Sequence, residues 1–198
     1  MAKRLFDIVL AACALLLLSP LLIALAAWVR LDSPGPVFFR QERIGRNGVP
    51  FRIHKFRTMH ERAASGPLLT VDGDLRVTRA GRFLRRSKLD ELPQLLDVLQ
   101  GTMSLVGPRP EVPKYVAAYP PELRDKILSV RPGITDAASL SYRRESELLA
   151  RAADPEREYL EVVMPAKLRL QAQYVEQAGL AHDLRLLART VKTLLFHD

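Results

Sequence analysis

The sequence has a single cysteine, Cys13, which lies inside an apolar run. No intrachain disulfide can form, so nothing in the chain requires an oxidising compartment. There is no glycine-rich nucleotide loop of the Walker or Rossmann type and no Gly-x-Ser-x-Gly nucleophile motif. The four histidines lack the spacing of a zinc site. These absences exclude those three sequence patterns and no more.

Acidic residues are scarce in the first part of the chain. Lys and Arg outnumber Asp and Glu by 30 to 22 overall, which gives a formal net charge of +8. The excess is concentrated in residues 1–57, where nine basic residues face three acidic ones. Such a block suits nucleic acid, anionic lipid or a phosphorylated substrate, and composition alone does not choose among them.

The longest apolar run, Ile8 to Val29, carries no charge over 22 residues, or about 33 Å of helix. Pro20 lacks the amide that would bond to Leu16, so a sharp bend is expected there, and Ser19 can return a hydrogen bond to the freed carbonyl. Basic residues flank both ends, which favours a re-entrant helix broken at Ser19-Pro20, with both ends on the cytoplasmic side, over a kinked full span. A cleaved signal peptide is a third reading, but the run is long for one and contains a central proline.

The length of 198 residues fits one compact domain plus this anchor. We therefore predict a membrane helix over residues 1–31 and a catalytic domain over residues 32–198. In the second part, Val37–Ile44 and Phe51–Arg57 flank an Asn-Gly pair and predict a basic β-hairpin. Residues 63–74 have little periodicity and read as a mobile loop. Helices are predicted at 79–86, 91–100, 112–119, 122–128, 155–177 and 180–196.

The last predicted helix has an apolar face opposed by Arg185, Arg189 and Lys192. This pattern fits a core-facing helix and equally a helix lying in the lipid interface. The predicted fold class is therefore α+β, mostly α: a re-entrant membrane helix, a small basic hairpin, and a helical catalytic domain with interfacial amphipathic helices.

Adjacent carboxylates at Asp90 and Glu91 open one of these helices. Asp90 is placed as its N-cap, with Pro93 in the first turn. A helix N-terminus attracts anions, so a carboxylate there is expected to stay ionised and able to act as a nucleophile or a ligand of a hard cation. Adjacent residues point in different directions, so the two carboxylates should divide the work. The alternative is that Asp-Glu-Leu-Pro simply starts a helix.

Basic residues surround this pair in sequence and suggest phosphate binding. Gly107-Pro-Arg-Pro110 is a rigid turn that presents Arg109, whose planar guanidinium suits phosphate oxygens. Arg85 precedes the carboxylate pair, and Lys55 lies on the predicted hairpin. The alternatives are a structural turn for Arg109 and a solvated strand edge for Lys55.

Seven short motifs occur in one order along the chain. They are Lys3-Arg-Leu-Phe-Asp7, Ser19-Pro20, Gly35-Pro-Val-Phe-Phe39, Lys55-Phe-Arg-Thr-Met59, Leu89-Asp-Glu-Leu-Pro-Gln-Leu95, Met103-Ser-Leu-Val-Gly-Pro-Arg-Pro110 and Val130-Arg-Pro-Gly-Ile-Thr135. Together they resemble the bacterial sugar transferase family, the small monotopic phosphoglycosyl transferases. The resemblance runs from the first residues to about residue 135 and continues more loosely to the end.

The resemblance implies an enzyme at the cytoplasmic face of the bacterial inner membrane. It would move a sugar phosphate from a UDP-sugar to polyprenyl (undecaprenyl) phosphate, release UMP, and so initiate a surface glycan or glycoconjugate. In the family the Asp of the Asp-Glu pair is the nucleophile and forms a covalent phosphosugar intermediate, which gives that role to Asp90, with Glu91 beside it and Mg2+ required. Membrane lipids are implied as partners and nucleic acid is not.

The chain departs from the family pattern after Thr135. Many members continue with Gly-Trp-Ala-Gln and then an arginine that contacts the nucleotide, whereas this chain reads Asp-Ala-Ala-Ser. Arg143 matches that arginine by position, and Arg144 is an alternative. The sugar, the pathway and the oligomeric state, a homodimer included, stay open. Competing hypotheses are a membrane-tethered basic module that binds anionic lipid or nucleic acid, and a hydrolase of a phosphorylated lipid.

Overall fold

The computed structural model describes residues 2–61, 68–71 and 73–196, with side chains up to residue 193. It is mostly helical with a few short strands, as predicted. The helices are α1 (Ala2–Asp32), α2 (Arg79–Ser87), α3 (Gln94–Gln100), α4 (Pro113–Val116), α5 (Pro121–Leu128), α6 (Ala137–Ser141), α7 (Glu145–Ala150), α8 (Pro155–Glu158), α9 (Met164–Glu176) and α10 (Leu180–Phe196). The strands are β1 (Phe38–Phe39), β2 (Glu42–Ile44), β3 (Pro50–Arg52), β4 (Lys55–Phe56), β5 (Ser104–Val106) and β6 (Gly133–Thr135).

Helix α1 is long and apolar enough to cross a membrane. It continues through Ser19 and Pro20 without an interruption of the helix, so the predicted break does not appear as one. The predicted local repair is confirmed, because the Ser19 hydroxyl donates to the Leu16 carbonyl at 2.8 Å, the acceptor that proline leaves without a donor. The re-entrant path is taken up below as a proposal.

The N-terminal end of α1 is bound to the rest of the chain through three charged side chains. Lys3 donates to Asp183 (2.5 Å) and to the Val106 carbonyl (3.1 Å). Arg4 donates to the Val98 and Leu99 carbonyls, at 2.7 and 3.1 Å, where α3 ends. Asp7 is buried and accepts from the Ser104 hydroxyl (2.8 Å) and the Leu105 amide (3.3 Å). The beginning of the apolar helix is therefore fixed to β5, α3 and α10.

The C-terminal end of α1 is bound as well. The buried Arg57 guanidinium donates to the carbonyls of Val29, Ser33 and Pro34, at 3.2, 2.6 and 2.7 Å. Asp32 accepts from the Ala80 amide at 2.9 Å, next to the start of α2. Both ends of α1 are thus held by one domain, and its face at Asp7, Ala11, Leu25 and Val29 is buried.

The predicted basic hairpin is confirmed in two antiparallel pieces. β2 pairs with β3 and β1 pairs with β4. The turn between β2 and β3 is a short 3-10 segment, Arg46–Gly48, in which Asn47 adopts a φ of 57°. Asn tolerates this left-handed conformation better than most residues, which explains the Asn-Gly pair at the turn.

A parallel pair of strands, β5 and β6, was not foreseen from the sequence. It joins two of the motifs, because β5 leads into Gly107–Pro110 and β6 follows Arg131-Pro132. The two backbones are so close that a side chain at Gly133 would lie 2.1 Å from the Gly107 amide nitrogen. Glycine is required at both positions for this approach.

The remaining helices pack around three apolar clusters. One is centred on α4, α5 and α9, one lies between α1, α3, β5 and α10, and one joins the C-terminal half of α1 to α2 and Phe56. The predicted helix over 155–177 is present as α8, a π-helical turn at Tyr159–Val163 and α9. Half of the loop predicted for residues 63–74, namely residues 63–67 and 72, lies outside the described residues.

Candidate active site

Asp90 and Glu91 lie in a 3-10 turn, Leu89–Glu91, between α2 and α3. The prediction that Asp90 caps a helix is wrong. Lys88 adopts a left-handed conformation (φ 58°) that ends α2, and α3 begins only at Gln94, directly after Pro93. The tight turn directs Asp90 inward, where its side chain is 9% exposed and makes no capping hydrogen bond.

Glu91 is held by two cations that come from distant parts of the chain. Arg109 grips both carboxylate oxygens, with one nitrogen 2.9 Å from Oε2 and the other donating to Oε1. Lys55 also donates to Oε1, at 2.7 Å. Burial by itself would raise the pKa of Glu91, but the charges and hydrogen bonds of Arg109 and Lys55 outweigh it and hold that pKa well below its usual range. Glu91 is therefore a fixed carboxylate anion.

Asp90 is in the opposite situation. Its Oδ1 atom is buried and has no hydrogen-bond partner among the described residues. Burial and the neighbouring Glu91 charge raise the pKa of Asp90, although Lys55, Lys88 and Arg85 oppose the shift. The expected stabilisation of the anion by a helix N-terminus is absent, because no such helix starts here. That the two carboxylates divide the catalytic work stays a prediction; the geometry differs between them, since Glu91 is clamped and Asp90 is unpaired.

Two further cations lie beside Asp90. Arg85 is half-buried in the last turn of α2, and Lys88 is exposed at the end of that helix. Burial lowers the pKa of the Arg85 guanidinium, and the Asp90 charge partly offsets this effect. Within the described part of the chain, neither side chain has a hydrogen-bond partner. They are therefore available for an added anion.

Lys55 and Arg109 are positioned by the segments that carry them. The residue before Lys55, His54, is fixed to buried Asp97 of α3 by its backbone amide (2.9 Å) and its Nδ1 atom (2.6 Å). Burial lowers the pKa of Lys55 more than Glu91 raises it. On the other side, Arg43 donates to the Pro110 carbonyl and to Glu111, which fixes the turn that presents Arg109. Nothing in the sequence pattern singled out His54 or Asp97.

The structure thus brings together five of the six predicted site residues: Lys55, Arg85, Asp90, Glu91 and Arg109. The described hydrogen bond of Arg143 is with α10, where its guanidinium donates to the Thr193 carbonyl at 2.9 Å. Arg144 is exposed.

Few side chains in this site could coordinate a metal ion. Within residues 2–61, 68–71 and 73–196, no group of three or more His, Cys, Asp or Glu side chains could hold a cation. Both Glu91 oxygens already face cations, whereas Asp90 Oδ1 is unpaired. The residues fit Mg2+ only as a site completed by ligand phosphates and water, with Asp90 as its carboxylate.

A clamped carboxylate, an unpaired buried carboxylate and surrounding cations lie on a domain that holds a long apolar helix by both ends, and this arrangement suits a membrane-associated protein that acts on phosphates. Comparison with known sequences gives the family. The pattern of the bacterial sugar transferases matches residues 1–197. The chain belongs to this family.

Three relatives show the range of the family. The chain is 41% identical to a UDP-glucose:undecaprenyl-phosphate glucose-1-phosphate transferase of Caulobacter vibrioides, over 99% of this chain and 70% of the relative. It is 37% identical to a UDP-N-acetylgalactosamine-undecaprenyl-phosphate N-acetylgalactosaminephosphotransferase of Aeromonas hydrophila, over 98% and 43%. It is 38% identical to the Escherichia coli glucose-1-phosphate transferase with the same description as the first, over 96% and 39%. The chain therefore spans less than half of two of these relatives.

Proposed function

We propose that this protein transfers a sugar-1-phosphate from a UDP-sugar to polyprenyl (undecaprenyl) phosphate at the cytoplasmic face of the bacterial inner membrane. The observation that carries the proposal is the unpaired, buried Oδ1 of Asp90 beside a Glu91 that two cations neutralise. The names of the relatives support the donor and the acceptor. A surface glycan or glycoconjugate is the expected end product.

In the proposed first step, an Asp90 carboxylate oxygen attacks the β-phosphorus of the UDP-sugar. The bond between that phosphorus and the bridging oxygen breaks, and UMP leaves with the electron pair. In the second step a phosphate oxygen of the lipid attacks the same phosphorus and releases the Asp90 carboxylate, so the enzyme is regenerated. A raised pKa makes the Asp90 anion a more basic nucleophile whenever the pH keeps it ionised.

The surrounding side chains would bind and orient the phosphates. Lys55 and Arg109 are fixed by Glu91, so their charges stand beside Asp90 before substrate arrives, and no reorganisation is needed during the reaction. Arg85, whose guanidinium has no partner among the described residues, is proposed to pair with a phosphate oxygen. Arg143, with Arg144 as the alternative, is the proposed contact to the nucleotide.

Mg2+ is proposed as the cofactor, with Asp90 as its protein ligand and diphosphate oxygens as others. When bound, it would neutralise charge on the diphosphate. Glu91 is the poorer ligand of the two, because a metal would have to displace Arg109 or Lys55 from its oxygens.

The fixation of both ends of α1 supports the re-entrant membrane helix. A helix that spans a bilayer of about 30 Å would carry its second end away from the domain. Here Lys3 and Arg4 bind at one end and Arg57 binds at the other. The outward face is strongly apolar, with Leu16 and Leu17 77% and 81% exposed. A helix that enters and leaves lipid on one face meets both conditions.

Cysteine labelling tests this topology. In a Cys13→Ser background, single cysteines at Arg4 and Arg40 should both react with a membrane-impermeant reagent from the cytoplasmic side only. Reaction from opposite sides would show a full span. We expect Pro20→Ala to move the helix toward a span, because the restored hydrogen bond to Leu16 favours a straight helix.

Helix α10 supports the proposal that amphipathic helices lie in the interface. Its buried face includes Asp183 and Leu186, whereas Leu180, Leu184 and Val191 are 39%, 48% and 54% exposed. These three residues of the predicted apolar face point away from the core, whereas Leu187 of the same face packs against it. Exposed basic residues flank them, namely Arg185, Arg189 and Lys192. Apolar and basic side chains on one exposed helix suit an anionic lipid surface.

The decisive experiment is incubation of the purified protein with UDP-sugars, polyprenyl phosphate and Mg2+. The wild type should release UMP and form lipid-linked sugar phosphate, and Asp90→Asn should do neither. Asp125→Asn, which removes an exposed carboxylate outside the site, is the matched control. Mass analysis of protein quenched with donor alone should show a phosphosugar adduct on Asp90.

Three outcomes would contradict the proposal. Release of free phosphate from the lipid without a sugar nucleotide would indicate a hydrolase. Salt-sensitive DNA binding without turnover would indicate a binding module. Full activity of Asp90→Asn would remove the proposed nucleophile.

A further inference from the structure

Asp136 is a buried carboxylate one residue after β6, and its side chain is 0% exposed. Its Oδ1 accepts from the Ser139 amide at 2.6 Å and caps helix α6. Its Oδ2 accepts from the Arg109 backbone amide at 3.2 Å and from the Gln171 side-chain amide at 3.1 Å. One carboxylate therefore joins α6, α9 and the turn that presents Arg109.

The backbone before Arg109 is already fixed by the parallel strands. The Gly107 amide donates to the Thr135 carbonyl at 3.1 Å, and the Gly133 amide donates to the Pro108 carbonyl at 3.0 Å. The Arg109 amide is the next donor in this series, and beyond the end of β6 the Asp136 side chain is its acceptor. The turn is thus bound continuously from Gly107 to Arg109.

The guanidinium of Arg109 donates through two nitrogens to the two carboxylate oxygens of Glu91. Arg109 is consequently held at two points, by Asp136 at the backbone and by Glu91 at the side chain. The Glu91 charge first, and the Asp136 charge after it, raise the pKa of the guanidinium. A shift of the backbone would move the fork relative to Glu91 and to Asp90 beside it.

We propose that Asp136 is a positioning residue of the active site, which fixes the turn that directs Arg109 toward Glu91. Capping alone does not account for it, because a cap needs only Oδ1 and serine or asparagine supplies that bond. Oδ2 serves the Arg109 amide. The kinetic part of this inference rests on the proposed transferase function, and the structural part does not.

Two substitutions separate the cap from the contact with Arg109. Asp136→Ser retains an oxygen for the Ser139 amide but is too short to reach Arg109. Asp136→Asn keeps the size and the cap. The Gln171 side-chain amide can turn so that its Oε1, which has no partner among the described residues, accepts from the new amide, whereas the fixed Arg109 backbone amide loses its acceptor. Asp154→Asn is the matched control, since Asp154 caps α8 through the Glu156 and Arg157 amides and is exposed.

The first measurement is hydrogen exchange of the peptide containing Arg109, in the full-length protein. Both Asp136 variants should exchange the Arg109 amide about tenfold faster or more, and Asp154→Asn should not change it. Unchanged protection in a folded Asp136 variant would overturn the proposal. This readout is independent of any activity.

The second measurement is a double-mutant cycle on UMP release. Asp136→Ser should lower kcat about tenfold or more while the KM for the UDP-sugar changes by less than about twofold. In an Arg109→Ala background the same substitution should have less than about a twofold effect, because its action passes through Arg109. Equal effects in both backgrounds, or wild-type kcat with only a lower Tm, would show a purely structural role. Absence of UMP release from the wild type would refute the proposed function instead, and the exchange result would still decide the placement of Arg109.

Discussion

Asp90→Asn should make the protein more stable while it abolishes turnover. In the wild type the Oδ1 atom is buried without a partner and stands beside the Glu91 anion. A buried polar atom without a partner costs about 1–3 kcal/mol. Asparagine still leaves a buried polar atom at this position but carries no charge, so the cost of burying an anion beside Glu91 disappears and we expect a net gain of about 1–2 kcal/mol. For a chain of this size that gain raises Tm by about 2–8 °C.

The stability difference between Asp90→Asn and the wild type should depend on pH. The pKa of Asp90 is raised above its ordinary value of 3.8. Below that value the carboxyl is protonated in the folded and the unfolded chain, so folding carries no free-energy penalty for burying a charged Asp90. The penalty grows as the pH rises from 3.8 to the folded-state pKa and is constant above it. The advantage of Asp90→Asn should therefore be full at neutral pH and vanish in acid.

Thermal unfolding in detergent, without divalent cations, measures this difference. Asp125→Asn removes an exposed carboxylate and should leave Tm within about 2 °C of the wild type. A lower Tm for Asp90→Asn at neutral pH, or an advantage that persists unchanged below the ordinary pKa, would refute the argument that Asp90 is a strained anion.

The other predictions concern the same site and the anchor. Glu91→Gln leaves Lys55 and Arg109 without their buried anion, so Tm should fall by about 6 °C or more at neutral pH. The deficit should shrink in acid, because the stabilisation of the wild type by ionised Glu91 declines from the ordinary pKa of 4.5 down to the depressed pKa of the folded state. With a UDP-sugar present to complete the site, Mg2+ should raise the Tm of the wild type but not of Asp90→Asn; an equal rise in both would place the cation elsewhere. Arg57→Lys removes the fork that binds three carbonyls at the end of α1, so Tm should fall by about 2–6 °C; an unchanged Tm would show that those bonds add nothing.

The sequence predicted which residues meet in the site better than how they meet. Local signals sufficed for the hairpin, since Asn-Gly selects a turn within a few residues. They failed at Asp90. The Asp-Glu-Leu-Pro pattern is typical of a helix start, but here Lys88, two residues before Asp90, ends helix α2 in a left-handed conformation. The parallel pairing of β5 with β6 was missed for another reason: each strand has three residues, too few for any periodicity, and their partner lies far along the chain. Asp136 was visible only as a departure from a pattern, and its role needed the contact with Arg109.

The charged residues that begin α1 act in two ways, through their net charge and through specific pairing with the rest of the domain. From sequence, Lys3 and Arg4 are the basic flank that keeps the helix end on the cytoplasmic side, an effect of charge that any cation supplies. In the structure each of them has fixed acceptors, and Asp7 one turn later binds β5 through Ser104 and the Leu105 amide. Specific pairing constrains more than net charge, because it fixes where the helix leaves the domain surface. β5 continues directly into the turn that carries Arg109, so the strand that holds α1 is also the strand that places the proposed phosphate-binding side chain. In the proposed function, this rigid segment of a few residues would set the distance between the lipid surface and Asp90.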